Sequence, residues 1–493
     1  MERYEKQGYW WLPNNPEKRV PGKLVFGQDT EPYLQLLGSM QDGLDALKMM
    51  GRWGAEYRPE IILGISSDGK KYTLLDCHRM GASLSAFVIE SFYASTVIEG
   101  RHFSAMEEIV FQEMTVRMAH FGEWYQRTGR EIVFEDVDKD SRKTILTYQK
   151  PDNLSVTYEG GRIDFGHDAN IKFARFRGDF VISEEACFSV FPDQPLPLFV
   201  FLDEALPPIL HFFNLSVGRT LSVFEFRGKA ALDCDGKTDD EMRKAPLVKL
   251  YWKRPLDGDE DKELFPHDMV ATCSDFGDGL QGCLAAWLSA YKQIEPVMQL
   301  FFGRVLPREP ISPNSFLNSV QAAEAYHRYR RDGLDVPKVE YQKRLSQMLE
   351  LIDEDNRAWL AQKLQYSNEK GLRKRLKELL RERQGLFDIS DADIKRLANR
   401  ATELRNFFTH YTDDKGAEFG TAEELYLFGQ LFEWVVIACL LEEMGICRDR
   451  AHELIKRNQA FLYFKTVRLK GQQAELLKVE VVSADEVPKI EAN

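Results

Sequence analysis

The segment SDADIKRLANRATELRNFFTH, Ser390 to His410, spaces its apolar side chains as an amphipathic α-helix does. The apolar positions fall one, three or four residues apart and are Ile394, Leu397, Ala398, Ala401, Leu404 and Phe408. Ser390 followed by Asp393 is typical of a capping box, in which each residue satisfies the other's backbone N–H. This segment therefore predicts a capped helix with one face buried in a helical bundle.

The sequence before and after this segment has the same helical spacing of apolar residues. This spacing predicts further helices over residues 315–331, 341–351, 354–364, 371–384, 421–444 and 448–461. Thr421 with Glu424 predicts a second helix cap. Because the connections are short, we predict an all-α bundle for this half of the chain.

The first half has the pattern of β-strands. Short runs rich in Val, Ile, Phe and Tyr cover residues 23–26, 60–65, 73–75, 131–134, 143–148, 153–158, 170–176, 180–183, 221–226 and 247–252. One helix is expected near 203–215, where Pro207 and Pro208 limit its start. The predicted fold class is α+β: an antiparallel, sandwich- or barrel-like β-rich region followed by the helical bundle.

The hydrophobic period changes near Gly279, and this sets the predicted domain boundaries. We predict a β-rich recognition or regulatory domain over 1–278 and a helical domain over 315–464. A connecting helix and a linker containing Pro307, Pro310 and Pro313 occupy 279–314, and a tail with a strand near 475–482 occupies 465–493.

Composition narrows the class of protein. A length of 493 residues exceeds one hydrophobic core, and the net charge of −13 disfavours a protein that coats nucleic acid. Seven scattered cysteines show no zinc-ligand spacing, so we expect free thiols in a reducing cytoplasm, with no metal and no cofactor. The charged N-terminus predicts no signal peptide. The apolar window 425–441 is interpreted as a buried helix, too short to span a membrane.

Arg405 and His410 are the candidate catalytic residues. An imidazole can move a proton to or from a ribose hydroxyl, and a guanidinium can hold a phosphate. Five residues of helix rotate by about 500°, which leaves the two side chains about 140° apart. A shared site then needs either a helix that ends near Phe408 or a second subunit. A surface arginine and a helix-terminal histidine remain the alternative interpretation.

Two further features lie in the same half. Residues 370–383 carry seven basic and two acidic side chains, and we predict RNA contacts for Arg373, Lys374, Lys377 and Arg381. A solvated helix face is the alternative interpretation. Glu324, in the first bundle helix, could hold Arg405, or it could form a solvent-facing ion pair with its neighbours.

In this setting the helical half resembles a HEPN domain of the ApeA-like group. The motif of that family is matched by Arg405-Asn406 and His410, with Leu404 before it and Tyr411 after it. The first half resembles the ApeA N-terminal domain, through three stretches: residues 8–13 (GYWWLP), 22–24 (GKL) and 99–103 (EGRHF).

The resemblance implies a metal-independent endoribonuclease in anti-phage defence by abortive infection, with RNA, tRNA in particular, as its target. It further implies a homodimer or higher even oligomer, with paired motifs lining one cleft, and a phage-derived trigger. Arg405 and His410 would be catalytic, with Asn406 and Glu324 in support. The alternative is a non-catalytic dimer that binds RNA or a protein partner through its bundle, with a ligand-sensing β domain.

Overall fold

The computed structural model describes residues 3–27, 30–41, 57–84, 88–136, 142–173, 180–234, 241, 244–252, 263–306, 312–410 and 421–470. The chain divides into two compact units. The β unit comprises Met1–Leu210, Leu221–Leu264 and Thr272–Gln281. The helical unit comprises His211–Thr220, Phe265–Ala271 and Gly282–Asn493. Two short segments from within the predicted β-rich domain, 1–278, thus belong to the helical unit.

The described residues contain seventeen strands, β1 to β17, all in the β unit. In chain order they are Arg3–Trp11, Val20–Gly27, Tyr33–Leu37, Ile61–Ser66, Lys71–Leu75, His78–Leu84, Val88–Tyr93, Thr96–Glu99, Val110–Met118, Arg130–Asp136, Arg142–Tyr148, Leu154–Tyr158, Gly161–Phe173, Phe180–Pro192, Leu196–Pro197, Val223–Ala230 and Val248–Tyr251.

Fifteen strands form one sheet, and β10 and β11 form a separate hairpin. The order in the sheet is β12-β13-β14-β9-β16-β17-β8-β5-β4-β1-β2-β3-β7-β6, with β15 beside β9. Neighbouring strands pair antiparallel, as in β1 with β2 and β13 with β14. The predicted antiparallel β-rich half is confirmed. Among the described strands the two ends of the order, β12 and β6, do not pair, so the sheet is not a closed barrel.

The start of the chain forms the core of this sheet. Trp10 is fully buried, and a Cβ on Gly64 of β4 would lie 2.1 Å from its ring, so only glycine fits there. Trp11 contacts the ring of His102, whose Nε2 lies 2.7 Å from the Gly64 carbonyl. Gly100 adopts a φ of +118°, which glycine tolerates, and thereby turns the chain into this contact. The stretches 8–13 and 99–103 therefore pack together within the β unit.

The described residues contain fifteen helices, α1 to α15. In chain order they are Phe121–Tyr125, Leu198–Val217, Ala231–Cys234, Cys273–Phe276, Leu280–Gln293, Glu295–Leu300, Pro313–Arg330, Lys338–Glu350, Glu354–Leu364, Leu372–Glu382, Gln384–Phe387, Asp391–His410, Ala422–Glu443, Arg448–Arg457 and Gln459–Tyr463. All seven helices predicted in the C-terminal half are present, which confirms the helical region.

Helix α2 begins earlier than its two prolines predicted, so the expected start near residue 203 was wrong. It begins at Leu198 and continues through Pro207 and Pro208. A π-helical turn at Phe201–Ala205 precedes the two prolines, and the Leu206 N–H donates to the Phe201 carbonyl. The wider turn lets the helix absorb residues that lack a backbone donor, so the prolines do not set its start.

The core of the helical unit is organised around α13. This helix packs against α7, which in turn contacts α10 and α12. Its predicted cap is confirmed, because the Glu424 N–H donates to the Thr421 hydroxyl at 3.1 Å. The Glu424 carboxylate instead receives two hydrogen bonds from Arg400 of α12, at 2.6 and 2.8 Å. This bidentate pair ties α12 to the start of α13.

The ends of this half differ in detail from the prediction. The helix predicted over 448–461 is interrupted at Asn458, whose side chain accepts the Phe461 N–H and caps α15. Pro313 is the first residue of α7. The predicted break at Pro307 and Pro310 and the strand predicted near 475–482 lie outside the described residues.

Two helices, α2 and α13, are long and apolar enough to cross a membrane by length and composition. This is weak evidence for a span, because core helices of soluble proteins pass the same test. Most of the apolar window of α13 is buried inside the helical unit, which confirms its interpretation as a buried helix. At 22 residues α13 is nevertheless long enough to span a bilayer, so the expectation that it is too short was wrong.

Candidate active site

Helix α12 presents the candidate residues at its C-terminal end. Its capping box is confirmed: the Ser390 N–H donates to Asp393 at 2.9 Å, and the Asp393 N–H donates to the Ser390 hydroxyl at 3.2 Å. Its predicted stripe is buried at Ile394, Leu397, Ala398, Ala401 and Leu404. Arg405 follows the last of these residues, so it lies where the helix leaves the core.

Arg405 is partly exposed and is held by an acidic side chain from another helix. Its Nη2 lies 3.6 Å from Oε2 of Glu324 in α7, and its side chain is 34% exposed. Its Nη1 donates to Oδ1 of the exposed Asn406 at 3.3 Å. One carboxylate contact and one amide contact orient the guanidinium while leaving part of it open to a ligand.

Glu324 serves two arginines. Besides Arg405 it accepts from Arg328, one helical turn later in α7, at 3.0 Å. Glu324 thus makes both of the contacts considered for it, the ion pair with its neighbour Arg328 and the ion pair with Arg405, although its side chain is largely buried and not solvent-facing. Arg328 also donates to Glu369 at 3.2 Å. A continuous chain of ion pairs therefore runs from Arg405 to the segment that precedes α10.

His410 is the last residue of α12, and its side chain lies outside the described part of the structure. Because the backbone remains helical through His410, the arrangement in which the helix ends near Phe408 is wrong. The rotation of about 140° between positions 405 and 410 therefore applies. The polar run 412–416 (TDDKG), for which the sequence predicts a turn, lies outside the described residues.

A second histidine, His327, lies one turn after Glu324 but is wholly buried. Its Nε2 is 2.8 Å from Glu378 and its Nδ1 is 3.2 Å from Nη1 of Arg375. Arg375 can only donate, so the proton lies on Nε2 and points to Glu378. Burial lowers the pKa of His327 and outweighs the opposing effect of Glu378. This histidine ties α7 to α10 and cannot reach a substrate.

The basic segment 370–383 divides into inner and outer residues. Arg375 and Arg383 are buried, and Lys370 pairs with Glu378 at 3.0 Å. These three do not add to a cationic surface, so the predicted outer face is smaller than the sequence suggested. Those that do reach the surface are the four predicted RNA contacts: Arg373, Lys374, Lys377 and Arg381. Their role in binding RNA stays a prediction.

Two of the four outer residues already have acidic partners. Lys374 lies 2.7 Å from Asp335, and Arg381 lies 3.5 Å from Asp391. These pairs are exposed and contribute little to stability, so a phosphate could replace the carboxylates.

In the part of the chain that the structure describes, no group of three or more His, Cys, Asp or Glu side chains is arranged to hold a metal ion. All seven cysteines are free thiols.

A groove of about 580 Å³ lies against β1 to β4 of the β unit. Polar and aromatic side chains line it, among them Gln7, Tyr9, Lys23, Gln35 and Ser67. Gly8 and Gly22 form its floor and face each other across β1 and β2. A Cβ on Gly8 would lie 2.1 Å from the Ile65 carbonyl oxygen, so the floor admits no side chain.

Two family models match the chain. The model described as ApeA N-terminal domain 1 matches residues 5–287, and the model described as Apea-like HEPN matches residues 317–450. The first match spans more than half of the chain, and the second contains Glu324, Arg405 and His410. No curated protein and no solved structure matches the chain.

Proposed function

Since the chain belongs to the ApeA-like HEPN family, we propose that it is a metal-independent endoribonuclease. The observation that carries the proposal is the position of Arg405, which is partly exposed, oriented by Glu324 and five residues before His410 on one helix. A guanidinium held by a carboxylate and still partly exposed suits a phosphodiester.

The proposed reaction needs only proton transfer and charge stabilisation. The ribose 2′-OH attacks the adjacent phosphorus, its proton passes to a base, and the bond to the 5′ oxygen breaks as that oxygen gains a proton. The products are a 2′,3′-cyclic phosphate and a free 5′-OH. His410 acts as general acid or base, Arg405 stabilises the charge on the phosphoryl oxygens, and Asn406 and Glu324 keep the guanidinium in place.

The site is proposed to contain residues from two chains. Because positions 405 and 410 lie about 140° apart around one helix, a second copy is proposed to complete the site. A homodimer or higher even oligomer would place the motif of a second copy in the same cleft. We further propose action in the cytoplasm, with tRNA as the target, a phage-derived trigger sensed by the β unit, and arrest of growth as the result.

The test is RNA cleavage by the full chain in EDTA, with total RNA and with tRNA. Arg405→Ala and His410→Ala should each lower the cleavage rate by at least about 100-fold, since each removes charge stabilisation or proton transfer. Lys395→Ala, an exposed cation on the same helix, is the matched control and should cleave like wild type. Products should carry 5′-OH ends. Full cleavage and toxicity in both variants would refute the assignment.

The row Arg373, Lys374, Lys377 and Arg381, in which Lys377 is half-buried and the other three are exposed, favours a second candidate function, a dimer that binds RNA without cutting it. Its signature would be no cleavage by the purified dimer, together with salt-sensitive RNA binding. Charge reversal at Arg373, Lys374 and Lys377 would abolish that binding.

A further inference from the structure

The groove against β1 to β4 lies on the outer face of the sheet. Tyr9, which lines it, precedes the buried Trp10, and successive side chains of a strand point to opposite faces. These four strands are internal in the strand order, where β5 flanks β4 and β7 flanks β3. A ligand in the groove therefore meets projecting side chains and cannot join the sheet as an added strand.

An apolar row crosses the groove. Tyr9 of β1 pairs with Pro21 of β2 on one side and with Ile65 of β4 on the other. Leu37 of β3 extends the row beyond Pro21. Tyr9 and Leu37 are each 53% exposed. The row is therefore an uncovered apolar surface that spans four strands, or roughly 15 Å, and has an aromatic ring near its centre.

A polar row runs beside the apolar row, two residues away on β1, β2 and β3. Gln7 of β1 pairs with Lys23 of β2, which pairs in turn with Gln35 of β3. In the described part of the chain, neither glutamine side chain has a hydrogen-bonding partner. Each amide can donate and accept, and the ammonium group between them only donates. The polar row therefore offers hydrogen bonds across a width of about 10 Å.

The combination of the two rows selects a class of ligand. A flat apolar surface with an aromatic ring suits a planar ring that stacks on it. Amide side chains are typical partners of nucleobase edges, because both carry a donor and an acceptor side by side. The cation between the amides attracts an anionic group. A planar heterocycle that carries an anion is the chemistry of a nucleotide.

The size of the groove favours a single nucleotide. Its volume of about 580 Å³ lies within the range of about 300–1,000 Å³ that is typical of sites for small molecules. A nucleic-acid strand needs a track of cations along its backbone. Among the described residues that line the groove, Lys23 is the sole basic one. The groove therefore suits a free nucleotide better than a strand.

Lys23 can contact a phosphate without leaving a buried charge unpaired. Its Nζ lies 3.6 Å from Oε2 of Glu5, and the two side chains are 41% and 50% exposed. An exposed pair of this kind contributes little, so its exchange for a phosphate costs little. Glu5 keeps a second cation, because Nη2 of Arg3 lies 3.4 Å from its other oxygen. Glu5 is therefore a weak competitor of an incoming anion.

We propose that the groove binds a free nucleotide. The base packs against Tyr9 and Pro21, its edges meet the amides of Gln7 and Gln35, and the phosphate contacts Lys23. The site lies within the β unit and contains none of the residues assigned to RNA cleavage. A chain that binds a nucleotide but cuts no RNA would therefore support this inference and refute the proposed ribonuclease function.

Calorimetric titration of the full chain tests the proposal, with AMP, GMP, CMP and UMP as probes beside the four nucleosides. At least one nucleotide should bind one site per chain with a dissociation constant of about 100 µM or lower. Its nucleoside should bind at least about fivefold more weakly, because it lacks the phosphate. The proposal is overturned if no nucleotide binds at about 1 mM, or if the nucleoside binds equally well.

Substitutions in the two rows locate the bound nucleotide. Tyr9→Ala should raise its dissociation constant at least about tenfold, whereas Tyr9→Phe keeps the ring and should stay within about threefold of wild type. Lys23→Met should raise the constant at least about fivefold for the nucleotide and leave it unchanged for the nucleoside. Met80→Ala, at a 52% exposed position of β6 outside the groove, is the matched control and should bind like wild type.

Glu5 supplies a test of the opposite sign. Glu5→Gln should lower the dissociation constant of the nucleotide by about two- to fivefold, because Lys23 loses its competing carboxylate. The constant of the nucleoside should not change. Weaker binding of the nucleotide to this variant would overturn the contact between Lys23 and the phosphate. Circular dichroism equal to that of wild type would establish that each variant is folded.

Two further measurements distinguish the groove from other sites and ligands. Arg405→Ala should bind the nucleotide like wild type, and a loss of binding would place the nucleotide at the proposed catalytic site and overturn the inference. An oligonucleotide with a 5′-phosphate should bind no more tightly than the best mononucleotide. Binding of the oligonucleotide that is at least about tenfold tighter would identify the end of a strand as the ligand and would also overturn the inference.

Discussion

Helix α13 and the arm formed by helices α8 and α9, residues 338–364, are built from equally regular helices but lie in opposite environments. Fourteen residues of α13 are buried, whereas α8 and α9 bury none. Both α13 and α9 have side-chain caps. Caps and periodicity therefore account for the existence of a helix, and they do not decide whether its apolar side chains meet a core in the same chain.

The largest expected difference concerns apolar truncation. Phe432→Ala in α13 should lower the free energy of unfolding by about 3–5 kcal/mol, because it leaves a cavity in a closed core. Val339→Ala, at a 79% exposed position of the arm, should change it by less than about 0.5 kcal/mol. Urea unfolding of the helical unit, followed by circular dichroism, measures both. Equal effects would show that α13 is not the structural core.

The second difference concerns ion pairs. Glu382 accepts two hydrogen bonds from Arg331, both at 2.8 Å, and also contacts Arg383. Burial raises the pKa of Glu382, but the hydrogen bond of Arg331 and the charge of Arg383 outweigh it and lower the pKa to about 2. Glu382→Gln should lower the free energy of unfolding by about 1.5–3 kcal/mol at pH 7. Glu340→Gln in the exposed pair with Arg344 should have an effect within about 0.5 kcal/mol.

The pH dependence of this effect has a definite sign. The native pKa of Glu382 lies below the value of about 4.3 for an unfolded glutamate. The contribution of ionised Glu382 to the free energy of unfolding is therefore present above about pH 4.3 and is lost as the pH falls towards 2. The difference in the free energy of unfolding between wild type and Glu382→Gln should therefore become smaller as the pH falls from about 4.3 towards 2. A difference that stays constant from pH 7 to 2 would contradict the ionised pair.

The smallest difference concerns the caps. Thr421→Ala should lower the free energy of unfolding of the helical unit by about 1 kcal/mol, because α13 unfolds only with the core. Asp353→Ala should leave that free energy unchanged and fray only α9. Amide exchange at Asn356 should then accelerate by roughly tenfold, while exchange in α13 stays as in wild type. Global destabilisation by Asp353→Ala would mean that the arm folds as part of the core.

Much of the fold follows from local patterns. Each β-rich run predicted in the first half coincides with part of a strand, and each predicted helix of the second half is present. The caps at Ser390 and Thr421 are visible in sequence because a cap needs only residues three positions apart. The long strand order, by contrast, joins segments such as β17 and β8 that are far apart in the chain, and no local pattern specifies such pairs.

The candidate site also combines features that the sequence determines with features that depend on the tertiary structure. The sequence alone determined the motif Arg405-Asn406 to His410, the capped amphipathic helix that carries it, and the cationic character of residues 370–383. Only the tertiary structure decided which charges are available. It buried Arg375 and Arg383, shared Glu324 between Arg328 and Arg405, and left the arm without a core. The physical reason is that the period of a helix fixes which side chains share a face, whereas burial depends on what another part of the chain places against that face.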